Sequence, residues 1–179
     1  ATADTRVQRI VNDALEHGLA RYEERHPRAS GLIQGSVVVL HNRDGRILAE
    51  VGGRREYNGR SASYTDYNRV TKSLRQPGSA MKPMVYLAAF RSGDFTLETL
   101  VPDEPISVPN GNASPKWVSD YDGRFKGLIP VRQALAESRN AVAMWIAAQI
   151  GIDRVLRTSR TLGMRTPLQP SATTGLGAS

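Results

Sequence analysis

The chain has 179 residues, 24 of them Lys or Arg and 17 Asp or Glu, and its 40% hydrophobic content fits a folded domain with a real core, not a disordered tail. It holds no cysteine, which excludes a disulfide scaffold, a Cys-ligated zinc or iron–sulfur site, and thiol catalysis. The formal charge of +7 comes from arginines scattered singly or in pairs such as Arg54-Arg55, with no basic run or aromatic ladder, so it reads as solvated surface and no nucleic-acid partner is expected.

Residues 5–22 have helical periodicity. Val7, Ile10, Val11, Ala14, Leu15, Leu19 and Tyr22 fall on one face. Thr5 and Gln8 have capping-box spacing, and His26-Pro27 ends the helix because proline disfavours helical geometry in the residue before it. Ser36 to His41 is β-branched and mostly apolar. Asn42 to Gly45 supplies a turn, Ile47 to Val51 returns, and Gly52-Gly53 stops the strand. This predicts an antiparallel hairpin that opens a larger sheet.

From Arg54 to Leu74 the composition turns polar, giving a surface connection; a short apolar helix over Met84–Phe90 follows. Val101 to Pro115 carries four prolines and is expected to be extended or looped. Val131–Ile150 and Ile152–Leu162 are helical in pattern, the first interrupted by Ser138-Arg139-Asn140. Strands before helices favour an α+β fold. No stretch approaches the ~18 apolar residues of a membrane span, and no signal-peptide pattern opens the chain.

His17, His26 and His41 lack ligand spacing, so no metal site and no cofactor are expected. The carboxylate neighbours Glu23-Glu24 and Asp103-Glu104 read as solvated. Glycine-rich phosphate cradles are missing.

The segment Arg75-Gln76-Pro77-Gly78-Ser79-Ala80-Met81-Lys82-Pro83 differs. A Pro-Gly turn delivers Ser79 to the start of an apolar helix, with Lys82 one turn on and on the same side. Burial and neighbouring positive charge would depress the lysine pKa, as a base near neutral pH requires. A helix N-terminus would favour a developing oxyanion. The same letters also fit an N-cap serine followed by a solvent-facing lysine, and Ser138-x-Asn140 alone also fits a polar break between helices.

Together these segments resemble the transpeptidase (penicillin-binding) domain of bifunctional class A penicillin-binding proteins. Val37 to Gly53 is similar to the family's opening hairpin. Tyr67 to Thr71 with Arg75 to Pro83 is similar to its F-N-R-A-T … R-Q-P-G-S-x-x-K-P block. Trp117 to Gly127, then Val131 to Asn140, resembles W-x-x-x-N-Y-D-G … R-x-A-L-A-x-S-x-N, and Leu176 to Ser179 a later L-G-A-S. Arg139 stands where related β-lactamases carry Asp, and no K-[ST]-G occurs; Thr173-Thr174-Gly175 lacks the lysine.

The resemblance implies a partial serine D,D-transpeptidase/β-lactamase-like fold, with the hairpin, a helical subdomain and the C-terminal sheet strands missing. It implies that residues 1–179 are the N-terminal portion of the domain, with the first helix and hairpin in 1–53 and the nucleophile helix and helical subdomain in 54–179. By the same resemblance Ser79 is the nucleophile, Lys82 its base, Ser138 a proton relay and Asn140 a substrate-amide contact. The implied partners are peptidoglycan stem peptides ending in D-Ala-D-Ala and β-lactam antibiotics. The implied parent is anchored in the inner membrane, carries an upstream glycosyltransferase domain, and works on the periplasmic face of the cell envelope. The fragment alone is expected to be inactive. A non-catalytic module of the same fold and a β-lactamase-like hydrolase are the competing expectations.

Overall fold

A computed structural model describes residues 3–54, 67–110 and 113–177. The fold is α+β, with helices and small antiparallel sheets, and the chain divides into two compact units, residues 1–75 and 76–179. Most of the polar connection expected after Arg54 and the end of the L-G-A-S segment lie outside the described residues.

The first unit is built on helix α1 (Thr5–Arg25), strands β1 (Val37–Leu40) and β2 (Ile47–Val51), and the short helix α2 (Arg69–Lys72). The strands pair antiparallel, with Val37 opposite Val51. Val11, Ala49 and Val51 form its buried core, flanked by Val7, Leu15, Val37 and Val39. The N-cap is Asp4, whose carboxylate accepts from the N–H groups of Arg6 at 2.8 Å and Val7 at 3.1 Å. The Thr5/Gln8 capping box does not form. Gln8 instead exchanges hydrogen bonds with the Glu50 backbone on β2, where an extended strand offers an unpaired N–H and C=O. Glu23 is not solvated as expected. Arg54 donates to both of its oxygens, at 2.6 and 3.1 Å, and to Glu16 at 3.2 Å.

The second unit opens with a 3₁₀ turn (Gly78–Met81) running into helix α3 (Lys82–Ser92). The proline-rich stretch is extended, as its composition predicts: strands β3 (Leu100–Asp103), β4 (Ile106–Asn110) and β5 (Ala113–Val118). β4 and β5 form one antiparallel ribbon, and β3 pairs with β6 (Gly127–Pro130) in another. Helices α4 (Val131–Ala136), α5 (Asn140–Ile150) and α6 (Ile152–Thr161) follow, then a 3₁₀ turn at Ala172–Leu176.

The core of this unit lies between α3 and α5. Val85, Ala89, Val142, Ile146 and Val155 are fully buried in it, with Val101 and Ile129 from the β3–β6 ribbon. Alanines at 88, 89, 143 and 147 from the two helices are buried in the same cluster. The β4–β5 ribbon attaches through Val108 and Val118 against Met144 of α5. No described helix is long and apolar enough to cross a membrane.

Candidate active site

Local sequence explains how Lys82 reaches the interior. Gly78 takes a left-handed φ of +55°, the 3₁₀ turn follows, and the Lys82 N–H bonds back to the Ser79 carbonyl. Pro83 sits in the first helical turn, where its missing N–H has no partner to lose. Lys82, Val85, Tyr86 and Ala89 share one helix face, and all four are buried. The apolar face therefore carries the lysine stem inward, and only 1% of the residue is exposed. The start of this turn is held by backbone packed on backbone. A Cβ added to Gly177, at φ +72°, would stand 2.3 Å from the Gly78 carbonyl oxygen and 2.4 Å from its nitrogen.

The Lys82 amine meets the break between α4 and α5. Nζ donates to Ser138 Oγ at 2.9 Å, to Asn140 Oδ1 at 2.6 Å and to the Ser138 carbonyl. The break is a Schellman turn: the Arg139 N–H bonds the Ala134 carbonyl and the Ser138 N–H bonds that of Leu135. Ser138 occupies the left-handed position glycine usually takes there. Its φ of +55° is the one positive value at a non-glycine among the described residues. Asn140 begins α5. Its N–H donates to Asp120 Oδ1 and its side-chain Nδ2 to the Ser119 carbonyl at 2.9 Å.

Sequence reasoning missed what lies beneath. Arg139 stands where related β-lactamases carry Asp, and Asp103 reads in the sequence as solvated, yet both are buried. Arg139 Nε donates to Asp103 Oδ2 at 2.9 Å and Nη1 to both Asp122 oxygens, at 3.1 and 3.0 Å. Nη2 donates to the Arg124 carbonyl and lies 3.4 Å from Asp120 Oδ2. Asp103 is driven in because strand alternation puts it on the same face as fully buried Val101, a signal readable in β3. A buried cation then becomes obligatory.

These charges set the protonation chemistry. Burial pushes the Lys82 amine down, Asp120 opposes that, and Arg139 adds to it. The net direction is downward, the sense expected from the sequence. Burial pushes Asp120 up against the hydrogen bond from Asn140 and the charge of Arg139, while Asp103 pushes it further up. Tyr86, one turn beyond Lys82, is held neutral by burial, and its hydroxyl has no hydrogen-bond partner among the described residues.

Of the four residues singled out by sequence, three converge: Lys82, Ser138 and Asn140. Ser79 lies in the 3₁₀ turn just before Lys82 rather than in the α-helix proper. It is exposed, and its hydroxyl makes no hydrogen bond to a described residue. Among the described residues no group of His, Asp and Glu side chains could hold a metal ion.

The family model for the penicillin binding protein transpeptidase domain matches residues 35–175. The chain belongs to that family. It is 37% identical over 150 residues to penicillin-binding protein 1A of Neisseria flavescens, covering 82% of this chain and 18% of the relative. It is 32% identical over 156 residues to penicillin-binding protein 1A of Rickettsia conorii, covering 87% of this chain and 18% of that one. Penicillin-binding protein 1A from Haemophilus influenzae superposes at a TM-score of 0.71, with 29% identity over 82% of this chain and 21% of the other. PonA1 from Mycobacterium tuberculosis, solved with penicillin V, shares the fold at a TM-score of 0.70 and 20% identity, over 99% of this chain and 46% of its own. The chain thus spans about a fifth of the length of the curated penicillin-binding proteins it matches.

Proposed function

We propose that this chain is the N-terminal portion of a serine D,D-transpeptidase domain that cross-links peptidoglycan through an acyl-enzyme on Ser79. The observation carrying the reading is the buried Lys82 amine, bonded to Ser138 and Asn140 and placed three residues after an exposed serine. The depressed basicity of that amine suits a general base, and family membership supplies the reaction class.

In this mechanism Ser79 Oγ attacks the carbonyl of the penultimate D-Ala of a stem peptide. Lys82 takes the hydroxyl proton as the new C–O bond forms. The C–N bond to the terminal D-Ala then breaks, and Ser138 passes a proton from Lys82 to the departing amine. Asn140 holds the substrate amide, and the Ser79 N–H contributes to the oxyanion hole. An amine of a second stem peptide resolves the ester. β-Lactams acylate the same hydroxyl. The domain would work on the periplasmic face of the cytoplasmic membrane, in a polypeptide that also carries an anchor and a glycosyltransferase domain. A K-[ST]-G strand outside these 179 residues would complete the oxyanion hole, so the isolated chain should take up little penicillin.

The test is labelling of the complete protein that carries this chain with a fluorescent penicillin. One equivalent should attach covalently, and Ser79→Ala should remove the label while leaving the thermal transition in place. Persistent labelling of Ser79→Ala, or none of the unaltered protein, would overturn the assignment.

A further inference from the structure

The mechanism above leaves Asp120 and Arg139 without a role, although both are buried against residues it uses. Asp120 lies two residues beyond β5 and reaches the first N–H of α5, where its negative charge meets the positive end of the helix. Arg139 offers no side-chain cap to that helix; its guanidinium turns the other way, to Asp103, Asp122 and the edge of Asp120. Backbone, carboxylates and guanidinium therefore fasten both residues flanking Arg139, the same two whose oxygens receive the Lys82 amine.

We propose that Asp120 and Arg139 are positioning residues for Lys82: together they fix Ser138 and Asn140 against its amine and set the electric field in which that amine loses and regains its proton. This rests on the transpeptidase reading of the site. The two charges act in opposite senses, Asp120 holding the proton on Lys82 and Arg139 driving it off. Other elements packed against α3 bring little charge to bear. α5 and the 3₁₀ turn at Ala172–Leu176 carry no ionisable side chain. On α6, Asp153, Arg154, Arg157 and Arg160 are exposed, as are Arg132 on α4 and Glu137 just after it. From its own helix Lys82 is accompanied by Tyr86, which stays neutral, and from β3 by Asp103, which is paired with Arg139.

The complete protein is acylated with a fluorescent penicillin across pH, and the second-order rate is followed for unaltered protein, Asp120→Asn and Asp120→Ala. Asn keeps an oxygen for the Asn140 N–H and loses the charge. Its plateau rate should stay within about threefold, while the acid limb, where Lys82 protonates, moves down by about one pH unit. Ala loses both, so the limb moves and the plateau falls about tenfold or more. An acid limb unmoved in Asp120→Asn, loss of acylation at every pH in a folded Asp120→Asn, or a wild-type plateau in Asp120→Ala would overturn the proposal. If Asp120→Asn is recovered only unfolded, Arg139→Lys decides. It keeps the charge and shortens the fork, so the limb should hold and the rate fall about tenfold; an unchanged rate overturns positioning. Unaltered protein that takes no penicillin defeats the transpeptidase reading, and this inference with it. A labelled protein with an unmoved limb defeats this inference alone.

Discussion

A serine at φ +55°, in the turn position that normally takes glycine, carries a backbone cost, and the proposed transpeptidase mechanism gives its hydroxyl a use. Two substitutions at Ser138 separate cost from use. Ser138→Ala keeps the strained backbone and deletes the Oγ that receives Lys82. Ser138→Gly deletes the same oxygen and releases the strain. Denaturant unfolding should find the glycine variant more stable than the alanine variant by about 1 kcal/mol, while both lose most acylation. Equal stabilities would mean that the left-handed geometry stores nothing. At this scale the sequence was half legible. The lysine and its two acceptors stand in recognisable spacing. Asp103, Asp120 and Arg139 do not, because single charged residues default to the surface and the arginine pairs with the two carboxylates across 19 and 36 positions. Only the alternation in β3, burying Val101 and Asp103 together, hinted at an inward carboxylate.

Among the elements, those with strong local periodicity were foreseeable. α1 runs three residues beyond the sequence boundary to its His26 cap, and the β1–β2 hairpin forms around the expected turn. β6 was not foreseeable. It is four residues long, begins with glycine, ends with proline, and acquires its strand character only by pairing with β3. The 3₁₀ turn at Gly78–Met81 is a similar case, shaped by contact with Gly177 from the far end of the unit. One substitution should therefore have opposite effects at two glycines. Gly18 lies within α1, and a Cβ there would meet nothing within 4 Å. Gly18→Ala should stabilise by roughly 0.5–1 kcal/mol through helix propensity. Gly177→Ala must displace the Gly78 backbone and should destabilise by about 2 kcal/mol or more, with slower acylation, because Ser79 is the next residue. Thermal unfolding of both variants checks the signs. A neutral Gly177→Ala would show that the turn can yield.

Across the molecule, each unit carries carboxylates held below their ordinary range. In the first, the Arg54 hydrogen bond holds Glu23 down. In the second, the Arg124 N–H does so for Asp122 and the Lys126 ammonium for Glu137. Such groups add stability above their unfolded pKa of about 4, and that stability is lost as pH falls through the lower folded values. Asp120, pushed up by burial, works in the other direction: its charged form costs stability, and protonation in mild acid relieves the cost. Calorimetry should therefore show a melting temperature that holds or rises slightly on mild acidification and falls below about pH 4. A monotonic decline beginning near neutral pH would contradict this balance.

The three acceptors around the Lys82 amine are not equivalent. An ammonium has three hydrogens to give, and here it finds three oxygens. A neutral amine has two hydrogens and a lone pair, so one of those bonds is given up or reversed whenever the proton leaves. The Ser138 carbonyl and the Asn140 amide oxygen own no hydrogen and can only accept. The Ser138 hydroxyl alone can turn round and donate. Deprotonating the lysine thus rewires a single bond, and the residue on which it pivots is the one whose backbone the fold holds out of its preferred conformation.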